Sequence, residues 1–477
     1  MGYKPSAVDL SLLKTSVPDD VTQLCQRLHD AGFRSWVVGG CVRDLLLAQR
    51  SSGAQRSSGA QRAAPALGTT SEVRNDWDLA TDALPEQVQK LFRKVIPTGI
   101  KHGTVTVMLR GVGYEVTTLR GETTYSDGRH PDQVYFVDDI RADLARRDFT
   151  VNAIAYDPLA DQLIDPFGGA DDLAAGVLRA VGVAAERFSE DGLRVLRAAR
   201  FIATLGMRLE PATQDAIRPS LETYRKVSPE RIRDEWLKTL AAPRPSPAFQ
   251  LMLDHGIMQA TAPELAACAA IPSRHAGAAH SVWEHQLRVL DACPADPILR
   301  TAALLHDIAE TKPVASATIN LHAEEGAVMA AAICARLRYS NAERERVDAL
   351  VRHHAIDHDA LRAAPALRRW LRRTGVAVLP QLWQLAAANC SATADDAAAR
   401  RLATLRERVD ALLAAGVVLN TKQLALGGRE LMQQLGLAPG KQLGLLLEQL
   451  LERVTDQPEL NTPELLLSEA RALVAAG

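Results

Sequence analysis

The sequence is poor in lysine, in paired cysteines and in long apolar runs. Only ten of its 55 basic residues are Lys. The arginine bias suits bidentate contacts to phosphate, and it equally fits an Ala- and Arg-rich composition. Six cysteines (Cys25, Cys41, Cys268, Cys293, Cys334, Cys390) show no C-x-x-C spacing. They read as small buried hydrophobes, which argues against a disulfide framework or a zinc site. No apolar run approaches the length of a membrane span, and Met1 to Asp20 holds no signal-peptide core. A cytoplasmic chain without membrane contact is the expectation. Neither sign of charge dominates: the formal net charge is −2. Any contact with nucleic acid must therefore come from local patches.

At 477 residues the chain exceeds one hydrophobic core. Val21, Leu24, Cys25 and Leu28 fall at i, i+3, i+4 and i+7 after Asp19-Asp20, which predicts a helix that Gly32 ends. Ser35 to Val38 reads as a buried strand, Gly39-Gly40 as its turn, and Val42 to Ala48 as the next helix. A tandem hexapeptide, Ser51 to Arg56 and Ser57 to Arg62, has no apolar period and reads as a disordered loop insertion near 49–72. Thr104 to Leu109 alternates like a half-buried strand, with Tyr114 to Leu119 as its hairpin partner. Beyond about Asp171 strand signals almost vanish. The expected fold class is α+β: a small mixed α/β head (1–165), then an elongated all-helical neck and body (166–270), a third domain (271–400) and a helical tail (401–477).

Asp76 and Asp78 are the most informative pair. In a strand, residues i and i+2 face one way, so the two carboxylates project into one site and suit a pair of hard divalent cations. A lone Asp-x-Asp serves equally as a turn or a solvated edge; its neighbours change the odds. Gly39-Gly40 before a helix lets backbone N–H groups approach a polyphosphate, and Arg43 adds donors. Arg146, Arg147 and Asp148 can hold a triphosphate and a ribose hydroxyl, or cap a solvated helix. Asp191, Arg194 and Arg197 lie on one face at helical spacing, with Glu190 four residues before Arg194. That pattern fits a salt-bridged surface helix. It also fits a base reader: the carboxylate accepts from the amino group of C or A, and the guanidinium donates to the ring nitrogen and, for C, the carbonyl oxygen.

The run from Trp36 to Phe201 resembles the catalytic core of the class II tRNA nucleotidyltransferases, the CCA-adding enzymes, within the DNA polymerase beta-like superfamily. The resemblance rests on Gly39-Gly40-x-Val42-Arg43-Asp44, Asp76-x-Asp78, Arg146-Arg147-Asp148, Asp165-Pro166-Phe167-Gly168-Gly169, Glu190-Asp191-x-x-Arg194 and Pro229-Glu230-Arg231-Ile232, in the family's order. The tail from Leu424 to Asn461 is also similar to the bacterial enzymes. The resemblance implies template-independent addition of CTP then ATP to the 3′ end of tRNA by two-metal transfer, with pyrophosphate released. It implies Mg²⁺ on Asp76 and Asp78, and Glu115 as a third carboxylate near the metals. Arg146, Arg147 and Asp148 would hold ribose and phosphate, and Asp191 and Arg194 would choose the base. Arg197 and Arg200 would contact the triphosphate or brace that helix. The long insertion before Asp76 departs from the family's short link.

His285, His306-Asp307, His322 and His353-His354 form a second set, suited to a transition-metal or Mg²⁺ centre. The doublet resembles an HD phosphohydrolase domain, with His285, His306, Asp307, His322 and His353 as candidate ligands. Ala309 and Glu310 stand where a glycine and a lysine often follow the doublet. Arg368 to Arg373, interleaved with Trp370, can meet RNA phosphate or form a solvated helix face. Competing readings are a poly(A) polymerase, against which Gly99 to Thr104 looks like the CCA type, and an A-adding enzyme, which stays open. The segment Tyr125 to Pro131 argues against a CC-only enzyme. Readings from other classes are an HD hydrolase with an RNA-binding head and a non-catalytic RNA-binding protein.

Overall fold

The computed structural model describes residues 10–57, 77–100, 103–122, 134–274, 280–311 and 319–476. Asp76, most of the second hexapeptide copy and the segment Tyr125 to Pro131 lie outside the described residues. The chain divides into two compact units, Met1–Thr261 and Ala262–Gly477.

In the first unit, helix Asp19–Asp30 buries Val21, Leu24, Cys25 and Leu28. Its two leading aspartates complement the positive helix end. Seven strands form one sheet: β1 (Ser35–Val38), β2 (Asp78–Thr81), β3 (Val95–Gly99), β4 (Thr104–Leu109), β5 (Val112–Thr118), β8 (Ala155–Asp157) and β9 (Gln162–Ile164). Two further strands, β6 (Arg120–Glu122) and β7 (Val134–Phe136), form a separate antiparallel ribbon. The sheet order is β3-β4-β5-β2-β1-β8-β9. The β4–β5 hairpin turns on Arg110-Gly111, both at positive φ (49° and 88°), as a two-residue primed turn requires.

Register decides which face becomes the site. Val37, Leu79, Val116 and Val105 are successive cross-strand partners and are buried on one face. The alternate residues Val38, Asp78, Ala80, Glu115 and Thr117 fall on the other. There Trp36, Val38 and Ala80 pack with Ile140, Leu144, Ala153, Ala155 and Val181. This second face carries both the apolar floor and the acids.

Three expectations are corrected. Helix Gly40–Ser57 runs on past Ala48 through the first hexapeptide copy, where a loop was expected from residue 49. Ala, Gln and Arg are good helix formers, and extending an existing helix costs little. Strands also recur beyond Asp171: β10 (Val177–Leu178) pairs in parallel with β11 (Arg208–Leu209), so the neck is not all-helical. The basic run belongs to helix Ala364–Thr374 in the second unit. Arg368 is buried and donates to the carbonyls of Thr455 (2.5 Å) and Asp456 (2.8 Å) at the end of helix Lys441–Asp456. Arg369 pairs with Asp456 and Arg372 with Glu448. Most of the run is structural, capping a neighbouring helix where its dipole is negative.

Among its described residues the second unit is helical, with no strand assigned. Its last helices enclose a leucine core of Leu431, Leu446, Leu450, Val454 and Leu466. No described helix is long and apolar enough to cross a membrane.

In the first unit the segment after β9 is anchored by Asp165, whose carboxylate accepts from the N–H groups of Gly169 (2.8 Å) and Ala170 (2.9 Å). Gly169 presses against the Thr150 backbone, and a Cβ there would collide with the Thr150 carbonyl. Gly169→Ala should therefore lower the stability of the first unit by about 1–3 kcal/mol through overpacking. Urea unfolding followed by tryptophan fluorescence should show an earlier transition.

Candidate active site and candidate metal centre

A cleft of about 660 Å³ opens over the acid-bearing face of the sheet. β2 and β5 run parallel with Leu79 beside Val116, so Asp78 and Glu115, each one residue earlier, emerge side by side and both line the cleft. Gly39, at φ 81°, begins the turn into helix Gly40–Ser57. A Cβ there would lie 3.2 Å from Nη1 of Arg147 and 3.9 Å from Oδ2 of Asp78. The positive φ favours glycine, and its missing side chain lets the Arg147 guanidinium close over the turn without shifting.

An arginine–carboxylate lattice walls the cleft. Asp143, almost wholly buried, accepts from Arg146 (2.8 Å) and pairs with Arg147 (3.3 Å). Burial pushes the Asp143 carboxyl up, but the two guanidinium groups outweigh it and hold it below its usual value. Asp148 accepts from the backbone of Phe149 (2.8 Å), Asn152 Nδ2 (3.0 Å), and Nε (2.8 Å) and Nη2 (2.6 Å) of Arg197. Burial works against its charge, yet Arg197 and the Asn152 hydrogen bond bring it down to about 2. Asn152 Oδ1 in turn accepts from Arg43 (2.6 Å). Glu235, also buried, holds Arg200 (2.6 Å) and approaches Arg197 (3.7 Å). Arg43, Arg197 and Arg200 sit around the Phe201 ring at 5.3, 5.4 and 4.1 Å. The ring anchors three cations by its quadrupole and its bulk.

The expected continuous helical face is broken. Helix Ala184–Glu190 ends, Asp191 and Gly192 follow, and a new helix runs Leu193–Leu205. Asp191 is thus extended (φ −141°), outside the helix that carries Arg194 and Arg197. It accepts from Leu193 N (3.0 Å) and pairs with Arg231 through both oxygens (2.6 and 3.1 Å). Arg194 is buried and donates to Glu190 (2.7 Å) and to the carbonyls of Arg187 (3.0 Å) and Arg146 (2.9 Å). Asp191, Arg194, Arg197 and Arg200 all line the cleft with Asp78.

In the second unit, helix Val282–Ala292 brings buried His285 toward His306 and Asp307, which follow helix Pro297–Leu305. Oδ2 of Asp307 faces Nε2 of His306 (3.1 Å) and His285 (3.6 Å). Oδ1 faces Nε2 of His354 (3.3 Å) and His322 (3.5 Å). Nδ1 of His306 lies 2.8 Å from the Ala303 carbonyl, and Nδ1 of His354 2.7 Å from that of Val351. Those carbonyls hold each proton on Nδ1 and turn the Nε2 lone pair inward. Nε2 atoms of His285 and His306 come within 3.3 Å of each other. Two such lone pairs repel unless a proton or a cation lies between them, and the nitrogen–oxygen donor set fits a divalent metal.

Residues 35–179 match the family described as Poly A polymerase head domain, 206–268 the "Probable RNA and SrmB- binding site of polymerase A", and 282–397 the HD domain. The CCA-adding enzyme of Lactobacillus johnsonii is 44% identical over 49% of this chain and 53% of its own length. That of Lactobacillus helveticus is 45% identical over 48% and 51%. The chain therefore spans about half the length of the curated relatives it matches. A crystal structure of the Bacillus stearothermophilus CCA-adding enzyme in complex with CTP superposes with a TM-score of 0.66 at 27% identity, covering 95% of this chain and 96% of that one. The chain thus carries matches to the polymerase head, the probable RNA-binding region and the HD domain in that order along its length. The Thermotoga maritima CCA-adding enzyme complexed with tRNA_CCA shares the fold at 20% identity, with a TM-score of 0.55 and coverage of 98% and 99%.

In this chain the cleft gathers Gly39, Gly40, Arg43, Asp78, Glu115, Arg146, Arg147, Asp148, Asp191, Arg194, Arg197 and Arg200. Asp76 lies outside the described residues. Two sequence readings change. Asp148 spends its acceptor sites on Asn152, Phe149 and Arg197, so it anchors Arg197 rather than turning to a ribose. His353 is absent from the histidine groups around Asp307, and its neighbour His354 stands there instead. Adjacent residues at a helix end point roughly 100° apart, so only one of a His-His pair can face the centre. Asp143 and Glu235 were missed. The i+3 and i+4 spacing of Asp143 to Arg146 and Arg147 was a readable signal; Glu235 pairs across helices, which no local spacing reveals.

Two outcomes follow from this geometry. The Asp148 carboxyl sits below its ordinary 3.8, at about 2. Its stabilisation is therefore present above about pH 4 and is lost as pH falls through 2. Arg197→Met removes the principal partner, so circular dichroism on acid titration should show unfolding that begins at a higher pH than in the wild type. In the second unit, His354→Ala should lower the bound divalent metal measured after dialysis and elemental analysis, whereas His353→Ala should leave it unchanged.

Proposed function

We propose that this chain adds CCA to the 3′ end of tRNA, taking CTP and then ATP without a nucleic-acid template and releasing pyrophosphate. The observation that carries the reading is the pairing of Asp78 and Glu115 on adjacent parallel strands, facing an arginine wall across one cleft. Oxygen donors of this kind suit Mg²⁺, with Asp76, Asp78 and Glu115 as its holders. Bound Mg²⁺ supplies charge neutralisation on the triphosphate and makes the attacking 3′-hydroxyl more acidic. The protein supplies position and electrostatics, which is what phosphoryl transfer chiefly needs. Arg147, closed over Gly39, and Arg43 hold phosphate oxygens near the acids. Arg197 and Arg200, braced by Asp148, Glu235 and Phe201, extend that cradle. Donors locked before substrate arrives need no reorganisation during the reaction.

Base choice follows from what the internal bonds leave over. Arginine has five N–H donors, and the three bonds from Arg194 leave the Nε–H and one Nη2–H. Asp191 retains one acceptor position on Oδ2. One acceptor and two donors complement the amino group, ring nitrogen and carbonyl of cytosine. The amino group and ring nitrogen of adenine use the same acceptor and one donor. Uracil and guanine present a ring N–H and a carbonyl in the opposite order.

A second reading adds metal-dependent phosphohydrolysis in the HD domain, favoured by the two groups of donors that share Asp307. A cytoplasmic location accords with both activities.

The test is to incubate tRNA that ends at the discriminator base with CTP, ATP or both. Two added residues with CTP alone and three with both are expected. A single added A or a long tail would favour the A-adding or poly(A) reading. Asp78→Ala should abolish addition while leaving any phosphate release by the HD domain intact.

A further inference from the structure

Aromatic residues make up only 4% of the chain, and the large ones are mostly buried. Two consecutive rings are not: Tyr135 is 52% exposed and Phe136 44%. Among the described residues they are the only aromatic rings in the set of exposed large hydrophobic side chains. Both stand on β7, the outer strand of the ribbon beside the cleft.

The ribbon register separates their duties. Phe136 is directly opposite Arg120, and Tyr135 opposite Gly121. Directly opposed residues of an antiparallel pair share a face. Arg120 lines the cleft, so Phe136 belongs to the cleft side of the ribbon. Its Cε1 atom is 3.0 Å from where a Cβ on Gly103 would lie, next to Thr104, another cleft residue. Tyr135 is on the reverse face, where its ring lies across Gly121 and covers that glycine's backbone. The exposure of Tyr135 thus has a structural explanation in the ribbon. Phe136 likewise touches a glycine, Gly103, and 44% of the residue still stays exposed on the side of the ribbon that Arg120 shares with the cleft.

A flat apolar ring beside arginines is the surface that a single-stranded nucleic acid uses, base on ring and phosphate on cation. Resting on the nucleotidyl-transfer reading above, we propose that Phe136 is the stacking platform for a base at the 3′ end of the RNA acceptor strand. Arg120 beside it meets the adjoining backbone. The nucleoside triphosphate occupies the arginine-walled interior, and the growing end approaches across this rim. Phe136 then positions the acceptor strand and takes no part in base choice for the incoming nucleotide. Every base offers a stacking face, so the platform serves the acceptor before and after each addition.

The test uses the full chain and a 5′-fluorescein-labelled single-stranded RNA ending in CC. Fluorescence anisotropy gives its affinity, and steady-state kinetics give separate KM values for tRNA and CTP. Phe136→Ala should weaken RNA affinity by roughly five- to one-hundredfold, the range of one lost base–aromatic stack. It should raise KM for tRNA, with KM for CTP and the thermal midpoint unchanged. Phe136→Trp should restore binding, which a purely space-filling role would not require. Wild-type affinity in Phe136→Ala, a CTP KM that rises in step with that for tRNA, or failure of Trp to rescue would each overturn the proposal. Anisotropy reads RNA binding without turnover. An unaffected variant in a protein that still adds nucleotides sinks this proposal alone, and absence of nucleotide addition by the wild type sinks the broader reading.

Discussion

The parallel register of two strands is the constraint from which the site follows. Leu79 beside Val116 buries one face of the sheet, and the two-residue period of the strands then forces Asp78 and Glu115 out together on the other. A slip of one residue would bury both acids and expose both apolar side chains. The hydrophobic demand of the core thereby specifies where the charges emerge. The apolar partners behind them make the arrangement stiff, as the proposed metal-dependent transfer would require.

Opposite this face, the chain solves a harder electrostatic problem. Several guanidinium groups must stand close together in a partly dry cleft. Each is held by a buried acid: Arg146 and Arg147 by Asp143, Arg197 by Asp148, and Arg200 by Glu235. Phe201 spaces three of the cations. Removing a single buried acid would leave uncompensated positive charge, so these carboxylates matter to folding. The same bonds ration the donors. What remains on Asp191 and Arg194 after their internal bonds matches the edge of cytosine and, in part, of adenine. On the proposed reading, selectivity is thus a residue of structural bonding rather than a dedicated pocket.

Much of this was legible in the primary structure. Helix Asp19–Asp30, β1, and the β4–β5 hairpin followed from period and turn residues. The glycine turn, Asp78 and the cleft arginines followed from motif chemistry. What escaped reading was long-range. Asp191 looked helical because spacing alone cannot see a helix end that is stabilised by Arg231, forty residues onward. Glu235 is buried because it pairs across helices. His354 rather than His353 faces Asp307 because of where helix Asn341–His353 ends, and a boundary error of one residue rotates the choice. The hexapeptide repeat was read from composition, whereas helix propagation from Gly40 carries through its first copy.

The central claim is that one cleft combines a carboxylate-held metal site with a base reader built from the leftover bonding capacity of Asp191 and Arg194. The most direct measurement is the ratio of kcat/KM for CTP over UTP in single-nucleotide addition, for the wild type and Arg194→Ala. The account predicts that this ratio falls about tenfold or more, the scale of one lost bidentate discrimination, while affinity for tRNA is retained. An unchanged ratio in a variant that still adds nucleotides would contradict it.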